Sequence, residues 1–158
     1  MKLDDCINLD DLRKVAKQRV PKLIYDFIEG GSEDESGLVR NEDAFRNRAL
    51  VPRYMVDISS INQDTELFGR TYSSAYGIAP TGGISNYRHK GDLMLARAAR
   101  DANIPFIMSG AATARMEDMA REAPDHGWYQ LYTAKDRAIA DDQVKRAADL
   151  GIQTLVIT

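Results

Sequence analysis

Four apolar runs of strand length, Ala75–Ala79, Pro105–Ser109, Trp128–Tyr132 and Thr154–Thr158, each finish in small or polar groups. The endings are Ala79-Pro80-Thr81-Gly82, Ser109-Gly110, Gln130-Leu131-Tyr132 and Thr158. These are neutral hydrogen-bonding groups, neither a carboxylate pair nor a metal-ligand cluster. The amide of Gln130 offers both a donor and an acceptor and can pair with a cyclic imide edge. Ser109 and Thr158 add hydroxyls, and Gly82 and Gly83 let a flat ring come close to the backbone. The best match for such a set is a planar heterocycle, such as the pyrimidine part of a flavin. Polar residues also end strands for ordinary reasons of solvation, so convergence in space decides whether this is a site.

The remaining chemistry-bearing residues read differently. His126 precedes the Trp128 strand and is assigned a structural or surface role. His89 lies in a strand-to-helix loop between Arg88 and Lys90 and is expected to be solvated. Cys6 has no partner at any useful spacing and reads as inert. Tyr25 reads as a packing residue, the run Glu33–Glu35 as the start of a helix, and Arg97 and Arg100 as solvated charges on an outer helix face.

The elements that must position the strand tips follow from periodicity. Asn8 caps a helix carrying Leu9, Leu12, Val15, Ala16 and Val20 on one face, with Asp11 at its third position. Pro21 opens a second helix with Leu23, Ile24, Phe27 and Ile28, which Gly30 and Gly31 are expected to stop in the left-handed conformation. Ser32 and Glu35 predict a capping box for a third helix through about Asn47, with Glu33–Glu35 in its first turn. A short hairpin is expected at Thr65–Phe68 and Thr71–Ser73, turning at Gly69–Arg70. The strand runs then alternate with helices at Asp92–Asn103, Arg115–Glu122 and Ala138–Leu150, the last closed by Gly151. Strand and helix in alternation predict βαβ units and a parallel sheet. The expected division is 1–63, a helical segment, and 64–158, the strand-and-helix part. The final strand has no covering helix, and its tips would belong to the carboxyl face where barrels build active sites. A complete (β/α)8 barrel takes roughly 250 residues, against 158 in this chain, so the expectation is a partial barrel of four strands.

Composition narrows the partners. With 44% hydrophobic and 28% charged residues the chain reads as globular. A net charge of −3 offers no basic footprint for nucleic acid. No run approaches the about 18 apolar residues of a membrane span, and no signal-peptide pattern opens the chain. One cysteine excludes an internal disulfide and points to a reducing, cytoplasmic setting.

The stretch Pro21-Lys22-Leu23-Ile24-Tyr25-Asp26-Phe27-Ile28-Glu29-Gly30-Gly31, then Glu33-Asp34-Glu35, resembles the opening of the FMN-dependent α-hydroxy-acid oxidases and dehydrogenases. Asn41 with Ala44-Phe45, Pro52-Arg53, Asp57, Ile78-Ala79-Pro80-Thr81-Gly82, Gly91-Asp92, Ala96-Arg97-Ala98-Ala99, Tyr129-Gln130-Leu131-Tyr132 and Lys135-Asp136-Arg137 continue the likeness in order. The resemblance implies FMN as cofactor, held around Pro80, Thr81, Gly82, Ser109, Gln130 and Thr158. It implies a small-molecule substrate, an L-2-hydroxy acid, oxidised to the 2-oxo acid. Tyr132 falls at a substrate-contacting tyrosine, Phe27 stands in place of another, and Ala111 replaces a bulky aromatic found in some oxidases. The loop Tyr87–Gly91 departs from the family's proline-containing version. In the family the catalytic histidine, the carboxylate-binding arginine and a flavin-side lysine follow later strands. The chain is therefore expected to be an inactive N-terminal portion of a homo-oligomeric enzyme. The competing reading is a non-catalytic half-barrel that associates with itself or a partner.

Overall fold

A computed structural model describes residues 2–158. The chain divides into two compact units, Met1–Ser60 and Ile61–Thr158.

Among the described residues the first unit holds a 3₁₀ turn, Leu3–Asp5, and three helices: α1 (Leu9–Arg19), α2 (Lys22–Glu29) and α3 (Ser36–Arg46). Asn8 caps α1 as its sequence predicts, its side chain accepting from the Asp11 amide at 2.9 Å. Arg13 on α1 reaches Glu29 on α2 and, at 3.6 Å, Glu42 on α3. Val15 is this unit's buried core residue, whereas Leu23, Phe27 and Phe45 are largely exposed.

Two expectations fail here. Gly30 ends α2 with extended backbone, φ −73°. The small residues are needed for space instead, since a Cβ on Gly31 would lie 2.8 Å from Leu38 Cγ. The Ser32–Glu35 capping box does not form either. Glu33 and Glu35 take positive φ, 52° and 61°, so the acidic run is a turn preceding α3. There Glu35 accepts from the Gly31 amide and Asp34 from the Ser36 amide.

In the second unit β1 (Thr65–Leu67) and β2 (Arg70–Tyr72) pair antiparallel. Phe68 and Gly69 both have positive φ, as a tight primed hairpin turn requires, which sets the turn one residue earlier than expected. After a 3₁₀ turn at Ile84–Asn86 come α4 (Gly91–Asp101), β3 (Phe106–Met108), α5 (Met116–Glu122), β4 (Gly127–Leu131), α6 (Arg137–Asp149) and β5 (Leu155–Ile157). The sheet is parallel in the order β3-β4-β5, with Met108 opposite Tyr129 and Tyr129 opposite Leu155. The expected strand Ala75–Ala79 contributes a single parallel bridge, Ile78 to Phe106. Pro105 explains its brevity: its carbonyl accepts from Ile78, but it has no N–H to return, and Pro80 has none either.

Strand periodicity sorts the faces. Phe106, Met108, Tyr129, Leu131 and Leu155 pack with Ala96, Ala99, Met116, Met119 and Ala147 of the helices. Ser109, Gln130 and Thr158, offset by one residue, belong to the opposite face. Ion pairs lace the helices together on the outside. Arg97 grips Glu122 with two bonds of 2.5 and 2.6 Å, and Arg146 on α6 reaches Glu117 on α5 at 2.7 Å.

A polar node at the carboxyl ends of the strands

The strand ends place Ser109, Gln130 and Thr158 side by side because β3, β4 and β5 run in one direction and in register. Gln130 is 1% exposed. Its Oε1 accepts from the Gly110 amide at 2.9 Å and from the Ser109 hydroxyl at 3.2 Å. A backbone N–H can only donate, so the amide orientation is fixed, and Nε2 donates to Thr158 Oγ1 at 2.6 Å. Ser109 Oγ in turn accepts from the Ala111 amide at 3.1 Å. The node thus ties three strand tips into one network.

This arrangement corrects one sequence-based expectation. Both lone pairs of the Gln130 carbonyl are used within the protein, so the residue does not present a donor and an acceptor together. What remains is one Nε2–H, the Thr158 O–H and one lone pair each on Ser109 and Thr158. A ligand here meets two donors and two acceptors.

The preceding loop closes on the node. The Gly83 amide donates to the Ala111 carbonyl at 3.2 Å. A Cβ on Gly82 would lie 3.1 Å from Ala111 Cβ and 3.7 Å from Ser109 Oγ, so Gly82 and Ala111 face each other. Thr81 is exposed beside them and Pro80 is half-buried. Tyr132 is 56% exposed, and its ring stands over Gly110, where an added Cβ would come within 3.1 Å of Cδ2. Pro80, Thr81, Gly82, Ser109, Ala111, Gln130, Tyr132 and Thr158 therefore share one end of the second unit. Phe27 belongs to the first unit, exposed on α2.

Neither histidine joins the node. His89 is exposed in the loop before α4. His126 is buried at the amino end of the sheet, where its Nδ1–H donates to the Pro124 carbonyl at 3.0 Å. Its Nε2 lies 3.1 Å from Arg70 Nη2, from which it accepts, and 3.2 Å from Asn103 Oδ1. A cavity of about 240 Å³ opens at that same amino end, lined by Phe68, Arg70, Trp128 and Thr154. Among the described residues no three of His, Cys, Asp and Glu gather as a metal site would require.

Sequence reasoning overlooked Asp92 as part of this region. Its buried carboxylate accepts from Thr113 and Ser85 beneath the two loops. The available signal was the acidic residue at a helix start within a Gly-Asp pair.

Comparison with known proteins bears on this geometry. Residues 16–158 match the model of the FMN-dependent dehydrogenase family. The chain is 42% identical over 151 residues to the (S)-mandelate dehydrogenase of Pseudomonas putida, covering 96% of this chain and 38% of that protein. It is 36% identical over 158 residues to a 2-hydroxyacid oxidase of Dictyostelium discoideum, covering 99% and 41%. Among solved structures, a soluble mutant of the membrane-associated (S)-mandelate dehydrogenase from Pseudomonas putida superimposes with a TM-score of 0.90 at 41% identity, over 97% of this chain and 44% of that one. Mandelate oxidase with (S)-4-hydroxymandelic acid gives 0.89 at 32% identity, over 96% and 42%. The chain spans about two-fifths of the length of these relatives. With its match running through nearly the whole sequence, the chain belongs to the FMN-dependent dehydrogenase family.

Proposed function

We propose that this chain forms the first part of a (β/α)8 barrel that binds FMN, and that the protein it serves oxidises an L-2-hydroxy acid to the 2-oxo acid. The observation that carries the reading is the Gln130 node: an amide locked by Ser109, Gly110 and Thr158 at the carboxyl ends of adjacent parallel strands. The pyrimidine half of an isoalloxazine presents carbonyl oxygens and one N–H. The spare donors of Gln130 and Thr158 suit the former, and the spare lone pair of Ser109 suits the latter. Gly82 leaves the backbone bare for a flat ring, and Pro80 and Thr81 complete that wall.

Bound FMN would take up the two electrons released when the alcohol becomes a ketone. The chain's own contribution is to orient. Tyr132, exposed above Gly110, offers a phenol to the substrate, and the small Ala111 leaves room for a side chain larger than methyl. Neither His89 nor His126 serves as the base. The proposed base and the guanidinium that pairs with the carboxylate lie outside these 158 residues, so the chain alone does not turn over substrate. A cytoplasmic setting is the reading that the single cysteine supports, and a homo-oligomeric enzyme is the reading that the family likeness supports.

The test is anaerobic reduction. Adding (S)-mandelate or L-lactate to the full-length protein loaded with FMN is expected to bleach the flavin band, while the isolated chain, mixed with FMN and desalted, keeps no colour. A loaded protein whose flavin stays oxidised with every 2-hydroxy acid tried defeats the reading.

A further inference from the structure

Asp92 is an ionisable group that the proposed chemistry does not use, yet it is 2% exposed. Burying a carboxylate is costly unless hydrogen bonds compensate. Its Oδ2 accepts from Thr113 Oγ1 at 2.9 Å and from Ser85 Oγ at 3.4 Å. Asp92 also stands in the first turn of α4, where free backbone N–H groups favour negative charge. Helix-end electrostatics would be served as well by an exposed carboxylate without hydroxyl partners. The two hydroxyls come from different loops, Ser85 from the 3₁₀ turn that follows Gly83 and Thr113 from the segment after β3. The helix start is pressed onto the first of them, since a Cβ on Gly91 would fall 2.4 Å from Ile84 Cγ2. A second link joins the same loops directly above, the Gly83 amide donating to the Ala111 carbonyl.

We propose that Asp92 is a positioning residue that clamps the 81–85 loop to the 109–113 loop, holding Gly82 against Ser109 and Ala111 so that the two walls of the ring site keep their spacing. The proposal rests on the reading of those loops as FMN contacts.

Amide hydrogen exchange on the 158-residue chain, resolved at Gly83 and Gly110, tests the clamp. Asp92→Ala should speed exchange at both amides by about tenfold, the loss expected for a charge-assisted hydrogen bond, and leave the Tyr129 and Leu131 amides in β4 unchanged. Asp92→Asn keeps an acceptor and should restore slow exchange. Should Asp92→Ala fail to fold, the double variant Ser85→Ala, Thr113→Val keeps the carboxylate and should reproduce the loop-specific effect. In the full-length protein the same series should raise the Kd for FMN about threefold to tenfold, with Asp92→Asn near wild type. Equal acceleration in loops and sheet, or Asp92→Asn as damaging as Asp92→Ala, overturns the clamp in favour of simple helix-end stabilisation. Failure of the wild-type full-length protein to take up FMN overturns the cofactor role, and the exchange data tell that failure from one of the clamp.

Discussion

Gln130 serves two purposes at once. Its carbonyl end satisfies the Gly110 amide and the Ser109 hydroxyl, so the residue is a structural tie as well as the source of a spare N–H. Replacing it by leucine removes an acceptor from the buried Ser109 hydroxyl and from the part-buried Gly110 amide. The expected cost is about 1–3 kcal/mol of stability, the penalty for leaving a buried polar group unpaired, read as a lower urea midpoint. FMN affinity of the full-length protein should fall with it. Gln130→Glu separates the effects, because a carboxylate still accepts from Ser109 and Gly110 but has no N–H for Thr158 or the ring. That variant should regain most of the stability and little of the FMN affinity. Equal recovery of both would show that the spare N–H contributes nothing to binding. Sequence made the residue types and their strand-end positions legible, and the node assembles where alternation in β4 predicts. What it hid was the direction of each hydrogen bond, which depends on the Gly110 amide arriving from a neighbouring strand.

The elements show the same division between what is local and what is not. Helices with a side-chain cap and periodic apolar residues, such as α1 after Asn8 and α6 before the left-handed Gly151, match their predicted extents within a residue or two. The third helix starts late because Glu33 and Glu35 settle in left-handed turns that a capping-box pattern does not register. The first strand shrinks to the Ile78 bridge because its neighbour is Pro105, a pairing that no local pattern encodes. The outer ion pairs lead to a pH prediction. The Arg97 guanidinium holds the Glu122 carboxyl below the usual glutamate range, and Arg146 does the same for Glu117. The folded chain therefore binds these protons less readily than the unfolded one. Their contribution is complete above the ordinary carboxylate range and is lost as pH falls through the lowered folded values. These carboxylates are on the surface, so the effect is small and screened by salt. Between pH 7 and pH 3 at low salt, the denaturation midpoint of the wild-type chain should fall more steeply than that of Arg97→Gln, Arg146→Gln. Parallel curves would show that the pairs add nothing to the pH dependence.

At the scale of the whole molecule the two units differ in how much they bury. The second assembles a continuous core from Phe106, Met108, Met119, Tyr129 and Leu131 against Ala96, Ala99 and Ala147. Among the described residues the first buries Val15 alone, while Leu9, Leu23, Phe27, Val39 and Phe45 remain exposed. Its helices have 11, 8 and 11 residues, and isolated helices below about 12–15 residues are marginal in water without tertiary packing. The ion pairs of Arg13 do not replace an apolar core, since exposed pairs contribute at most about 1 kcal/mol each. Expressed separately, residues 61–158 should unfold in one cooperative transition, with near-ultraviolet circular dichroism from the packed Tyr72 and Trp128. Residues 1–60 should show weak, broadly melting helicity and should bind a dye that reports exposed apolar surface. Placing the domain boundary near residue 60 predicts that the melting midpoint of 61–158 lies within a few degrees of the intact chain's main transition, as two independently folding units require. A sharp, cooperative melt of 1–60 alone would mean that its three helices carry a core of their own, and the boundary would then separate two self-sufficient domains.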